Sequence, residues 1–268
     1  MTTFTKDDFI TGDKFLSLQT DDIVYLKVDL IHRGLSTMNW RGKPHNYKPG
    51  KVWITGHGAV EINEHLYNKN KGSCKVWFTT NKNYEHENLF AIPLGIGNTC
   101  NDSPVHKWCG NVDIMMEKNA KPRTIVNLVY MNFDSKNCAA ERRRCYNFFK
   151  DKPWVSIGKL EKTPAGRDRF LEDIRSHKFV LCPRGVGIET HRMWETLYMG
   201  SIPIVKKEKA LNEFRDLPIL FIDNWDEISE EFLQKKYDEI ISTKWNMEKL
   251  KFGYWKKKIT NMCNSIKD

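Results

Sequence analysis

Residues 177–206 read HKFVLCPRGVGIETHRMWETLYMGSIPIVK, and the order of residue types in this stretch decides the fold. The apolar run 179–182 predicts a buried strand. It ends in Pro183-Arg184-Gly185-Val186-Gly187, a loop with one arginine and two flexible glycines. A helix is expected to begin near Glu189 and to stop at Gly200, which stands where a glycine closes a helix. Residues 202–205 then form another short apolar strand. A glycine loop entering a helix aims backbone N–H groups and the positive end of the helix dipole at one point, which suits a phosphate. Arg184, Gly185, Gly187, Ile188, Thr190, His191 and Arg192 are the candidates to meet it. His191 and Glu195, four residues apart, share one helix face, while Met193, Trp194 and Leu197 pack inward. The loop lacks the third glycine of the dinucleotide fingerprint, so spacing alone leaves an ordinary strand–loop–helix turn and a solvated His191/Glu195 pair open.

The density of Cys182-Pro183-Arg184-Gly185, Gly187-Ile188-Glu189-Thr190-His191-Arg192, Trp194-Glu195, Gly200 and Ile202-Pro203-Ile204-Val205 resembles the sugar-nucleotide segment of the exostosin-like glycosyltransferases. The likeness is strongest in the C-terminal half. It implies a GT-B type enzyme, an α/β architecture of two Rossmann-like domains facing a cleft, with a C-terminal helix crossing back to the first domain. It also implies an inverting reaction and a role for Glu195 in accepting hydrogen bonds from ribose hydroxyls. Short chains of this kind resemble those of large algal viruses that glycosylate capsid proteins, which makes UDP-xylose the first donor to consider. The partners implied are a nucleotide sugar and a glycan or glycoprotein acceptor.

Outward from the decisive stretch, strands alternate with helices. Strands are expected over 124–132, 154–157 and 219–222, and helices over 139–150, 167–176, 210–214 and 229–241. That alternation argues for a parallel sheet covered on both faces. Asn224 reads as the N-cap of the last helix. The first part offers apolar, β-branched runs at 23–31, 51–55, 75–79 and 89–94, which read as strands, with a helix over 60–67. Residues 33–49 and 95–123 read as long loops. We expect an acceptor-side α/β domain over 1–121, a nucleotide-sugar domain over 122–245, and an amphipathic helix over 246–268 packing back on the first.

Forty per cent hydrophobic residues over 268 positions suffice for a sizeable core, which sets disorder aside. No apolar run is long enough to span a bilayer, and the N-terminus lacks the features of a secretory signal, so the expected location is cytoplasmic. The seven cysteines show neither zinc spacing nor a C-x-x-C pair, which favours reduced thiols. A net charge of +9 calls for an anionic partner. Without a nucleic-acid-binding motif, that charge leans toward a small anionic substrate, with nucleic-acid binding and a non-catalytic sugar-nucleotide module as the rival readings. A G-x-S-x-G hydrolase elbow is absent.

Glycosyl transfer expels a nucleotide diphosphate, so negative charge must be met by a metal or by fixed cations. No Asp-x-Asp pair occurs, and the expectation is a site without metal or other cofactor, using Arg184, the loop amides, His191 and Arg192. Beyond the strand 124–132 lie Asn132 and an arginine triplet, from which Arg143 is the candidate for the diphosphate. Lys159 follows the next strand in the same manner. A general base is expected on the N-terminal side. His57, flanked by glycines after an apolar run, has a near-neutral ordinary pKa, and Asp29 and Glu61 are its rivals. Trp40, Tyr47 and Trp53 are candidates to stack on sugar faces.

Overall fold

The computed structural model describes residues 3–32, 49–98 and 111–267. Trp40, Tyr47, Cys100 and Cys109 lie outside them. Two parallel sheets organise the described residues. The first contains β1 (Ile23–Lys27), β2 (Val52–Gly56), β3 (Val76–Thr79) and β4 (Leu89–Ala91), in that order. The second contains β5 (Asn127–Met131), β6 (Val155–Ile157), β7 (His177–Leu181), β8 (Ile202–Lys206) and β9 (Leu220–Ile222), ordered β6-β5-β7-β8-β9. Every pairing between neighbouring strands is parallel. Strands such as β2 and β3 are buried at every position, which is why they read as continuous apolar runs rather than alternating ones.

The second sheet has the doubly wound order whose direction reverses between β5 and β7. At such a switch point the loops beyond the two strands part and leave a crevice. Asn132 follows β5 and the Pro183–Gly187 loop follows β7, so the fold brings these two segments together.

The helices are α1 (Gly12–Leu16), α2 (Val28–His32), α3 (Glu64–Asn70), α4 (Val112–Asn119), α5 (Ala139–Phe149), α6 (Pro164–Ser176), α7 (His191–Tyr198), α8 (Glu230–Ser242) and α9 (Phe252–Ser265). Several correct the sequence reading. The run 23–31 is not one strand: Val28 and Ile31, three apart, bury one helical face, and Asp29 in the first turn of α2 favours helix start. The helix expected at 60–67 begins at Glu64, where the Asn63 side chain accepts the Leu66 N–H. The loop 95–123 contains α4, capped by Asn111. Residues 209–214 make a tighter 3₁₀ turn. Asn224 caps the 3₁₀ turn Trp225–Glu227, and Ser229 caps α8. The short α1 carries no sequence signal beyond its Thr11 cap.

One apolar cluster joins residues of both sheets with α9. Tyr198 stands at its centre: its hydroxyl donates to the Leu250 carbonyl at 2.7 Å and accepts the Ile10 N–H at 2.9 Å. Phe4 and Phe9 pack on its ring. From α9, Phe252 donates its N–H to the Asp8 backbone carbonyl at 2.8 Å and meets the Phe15 ring, while Trp255 and Ile259 are fully buried. Among the described residues, no helix is long and apolar enough to cross a membrane.

Candidate functional site

The carboxyl ends of strands from both sheets line one pocket of about 730 Å³. Its walls are Gly56–Ala59 after β2, Thr80 and Asn81 after β3, Asn132 and Asp134 after β5, Lys159 and Leu160 after β6, and Gly185–Gly187 after β7. The face of α7 bearing Thr190, His191, Arg192 and Glu195 completes it. The helix starts at His191 rather than Glu189, because the Thr190 side chain accepts the Met193 N–H as N-cap.

Nine of the residues singled out in the sequence line this pocket: His57, Asn132, Lys159, Gly185, Gly187, Thr190, His191, Arg192 and Glu195. Five do not. Arg143 is exposed. The buried face of α5 carries Arg142, Cys145 and Phe149, so helical spacing turns the preceding arginine inward. Arg142 donates from Nε to the Arg184 carbonyl at 3.0 Å and from Nη1 to the Asp134 carbonyl at 3.1 Å. Arg184 itself turns away to ion-pair with Glu61, with Glu208 at 3.7 Å. Ile188 is buried beside a small cavity of about 40 Å³. Asp29 and Glu61 line an adjoining groove that shares Ala59 and Val186 with the pocket. Trp53 is fully buried against Trp77, so it presents no face to a sugar.

The second-sheet wall is cationic. Arg142 and Arg192 each hold a guanidinium 5.8 Å from the Phe133 ring. Burial, with the charge of Arg192 nearby, pushes the Arg142 guanidinium down to about 10, still charged at neutral pH. Among the described residues, neither arginine ion-pairs with a carboxylate. Arg167, from the first turn of α6, also lines the pocket and pairs with Glu195 at 2.8 Å, both side chains being almost fully buried. Asn132 donates its amide to the Tyr130 hydroxyl and the Lys159 carbonyl, and its Oδ1 is buried without a partner among the described residues. A group left so is expected to meet a ligand or water.

The glycine loop is pinned across to the first sheet. Glu189, fully enclosed, accepts the N–H groups of Asn81 at 3.2 Å and Leu94 at 2.8 Å and the Trp194 indole at 3.1 Å. Burial outweighs these donors and pushes its carboxyl up to about 7. A Cβ on Gly187 would stand 3.0 Å from Asn81 Oδ1, and one on Gly185 would stand 3.1 Å from Arg142 Nη2. His191 reaches the Gly95 carbonyl from Nδ1 at 2.8 Å, which puts the proton on that nitrogen.

On the first-sheet wall, His57 sits in the left-handed region at φ 53°. Its Nδ1 meets the Tyr25 hydroxyl, and its Nε2 lies 3.4 Å from the Asp13 carboxylate. Burial pushes the imidazole below its ordinary value against the pull of Asp13, so it is neutral at pH 7. Arg142, Arg167, Glu189, Asn81, Tyr25 and Asp13 were not singled out in the sequence. Helical spacing reveals Arg142, and Thr163-Pro164 marks the start of the helix carrying Arg167; the other four have no local signal. Among the described residues, no cluster of three His, Cys, Asp or Glu side chains is arranged to hold a metal ion.

No curated protein matches the chain. A family model does: that of the RXYLT1 C-terminal domain, over residues 99–262. This span is well over half of the chain and includes β5 to β9, the glycine loop and α7. The chain therefore belongs to the RXYLT1 C-terminal domain family, a xylosyltransferase-related family of glycosyltransferases.

Proposed function

We propose that the pocket binds a uridine diphosphate sugar, UDP-xylose foremost, and that the protein transfers the sugar to a glycan hydroxyl with inversion. The observation that carries this reading is the Arg192 guanidinium at the entry of α7, facing the pocket without a carboxylate partner and backed by Arg142. A diphosphate leaving group meets there two fixed cations and the amide end of a helix. Uncompensated guanidiniums in a partly buried pocket stabilise developing negative charge strongly, which supports a reaction without a metal. Gly185 and Gly187 let the backbone approach the phosphates closely. Glu195, held by Arg167, takes the ribose hydroxyls.

In this reading the protein is of the GT-B type, with a donor unit over 122–245 and an acceptor unit over 1–121, bridged by the C-terminal helix. The acceptor oxygen attacks the anomeric carbon as its proton leaves toward the first-sheet wall. The bond from that carbon to the diphosphate breaks, and its electron pair departs with the nucleotide.

Thermal stabilisation by UDP-, GDP-, CMP- and dTDP-sugars, with and without EDTA, tests the donor. A ligand at a hundred times its Kd adds about 2.7 kcal/mol. A shift confined to one nucleotide class that survives EDTA supports the proposal. An absence of any shift, with retention on nucleic acid that falls steeply with salt, overturns it.

A further inference from the structure

Asn132, directly after β5, has a side chain held by hydrogen bonds whose direction is dictated by chemistry. The Lys159 carbonyl only accepts, so the contact at 3.3 Å comes from the Asn132 amide N–H. The second amide hydrogen goes to the Tyr130 hydroxyl at 2.8 Å, since that hydroxyl gives its own proton to the Asp173 carboxylate at 2.9 Å. Both N–H groups are committed, and the end that remains can only accept. That end, Oδ1, has no partner among the described residues, although Asn132 lines the pocket and is 4% exposed. A buried acceptor in this state is a cost until a donor meets it.

The local sequence keeps the network in place. A Cβ on Gly158 would collide with the Tyr130 hydroxyl, so glycine after β6 leaves room for the group that orients Asn132. Strand order then decides which part of a ligand comes here. β6 flanks β5 on one side, and β7 with the glycine loop flanks it on the other. The Asn132 side chain reaches Lys159 on the β6 side, whereas the phosphate-suited loop lies on the β7 side. The pocket wall on the β6 side includes Leu160, 51% exposed, and Phe170, whose ring carries the Arg167 guanidinium at 5.4 Å. Arg167 in turn pairs with Glu195, the residue given to the ribose above.

Two apolar side chains with one fixed acceptor between the strands suit a flat, neutral heterocycle that carries a ring N–H. A phosphate, which only accepts, would set lone pair against lone pair at Oδ1. We propose that Asn132 selects the nucleobase of the donor: its Oδ1 accepts the N3–H of uracil, with Leu160 and Phe170 against the ring. The inference deepens the donor reading above and rests on it. Cytosine has a lone pair at N3, and a methyl group on N3 of uracil replaces the hydrogen. Either change leaves Oδ1 unpaired.

Calorimetry with UDP, CDP, 3-methyluridine diphosphate and 2′-deoxy-UDP is the test. The wild type is expected to bind UDP about 10- to 100-fold more tightly than CDP or the 3-methyl analogue, the loss that follows when a buried acceptor stays unsatisfied. Asn132→Ala removes the acceptor, and is expected to bind UDP more weakly and to bring UDP and the 3-methyl analogue within about threefold of each other. A merely structural role would weaken every nucleotide alike and keep the preference, which overturns the assignment. Equal wild-type affinity for UDP and the 3-methyl analogue also overturns it while the donor site stands, and that comparison holds even where Asn132→Ala fails to fold. A penalty for 2′-deoxy-UDP that vanishes in Asn132→Ala gives Oδ1 to the ribose and overturns it as well. A wild type that binds none of the four defeats the donor reading itself, and the assignment with it.

Discussion

Asn81 and Glu189 exchange hydrogen bonds in both directions: the Asn81 N–H donates to Glu189 Oε1 at 3.2 Å, and Asn81 Oδ1 accepts the Glu189 N–H at 3.1 Å. The two residues are 108 positions apart, one following β3 and the other preceding α7. Their clasp, with Leu94 and Trp194 as further donors, sets the glycine loop against the end of the first sheet. Asn81 adopts φ 54° to make it.

Glu189 makes stability depend on pH. Its folded pKa, about 7, lies above the ordinary 4.5. A group raised in this way contributes its stability fully below the unfolded value and loses it as pH rises through the folded one. The melting temperature is expected to fall between pH 5 and pH 8, and Glu189→Gln, which does not ionise, is expected to flatten that fall. Melting curves of both proteins across this range check it; parallel curves would refute it.

Removing the carboxylate altogether is a different perturbation. Glu189→Ala strands three donors, and each buried unsatisfied group costs about 1–3 kcal/mol. The variant is expected to be severely destabilised at every pH, as measured by urea midpoint.

Arg192 and Arg143 should separate cleanly. Loss of a charged hydrogen bond to a ligand costs about 1.5–3 kcal/mol, so Arg192→Ala is expected to weaken UDP binding roughly 10- to 100-fold. Its fold should survive, since no carboxylate is left unpaired. Arg143→Ala, on the exposed face of α5, is expected to bind as wild type does. Calorimetry with UDP compares the two, and equal losses would contradict the placement of Arg142 and Arg192 at the diphosphate.

The Arg167–Glu195 pair is expected to behave as a buried ion pair. Glu195→Ala leaves the Arg167 charge enclosed and unpaired, a cost of about 3–5 kcal/mol. Exchanging both partners for apolar side chains of similar volume removes the two charges together and leaves neither stranded. The double variant Arg167→Met/Glu195→Leu is therefore expected to be more stable than Glu195→Ala. Denaturant titration of the two variants decides it.

Trp255 on α9 is fully buried in the cluster that both sheets share. Trp255→Ala is expected to cost about 3–5 kcal/mol. Fluorescence and circular dichroism should then report one shifted transition rather than two, because the cluster belongs to neither sheet alone.

Much of the architecture was legible because its signals are local. The run before Pro183 and the glycine at Gly200 bound a strand and a helix through backbone sterics, and the apolar strands of a parallel sheet declare themselves by continuous burial. The glycine loop and the inward residues Met193, Trp194 and Leu197 follow from the same short stretch. The misreadings are also physical. Residues 23–31 satisfy both strand and helix preferences, and only packing divides them at Val28. The arginine triplet offers three equal charges, and the rotation of α5 alone turns Arg142 inward.

What the sequence by itself determined is thus the parallel α/β alternation, the phosphate-suited loop and most of the pocket residues on α7, since each depends on neighbours within a few positions. Only the tertiary structure decided that Arg184 commits its charge to Glu61, that Glu189 clasps Asn81, and that Asp13 stands behind His57. These pairs join residues separated by dozens of positions. Their energy comes from burial and from the reach of a side chain between elements distant in sequence, and neither quantity exists until the chain has folded.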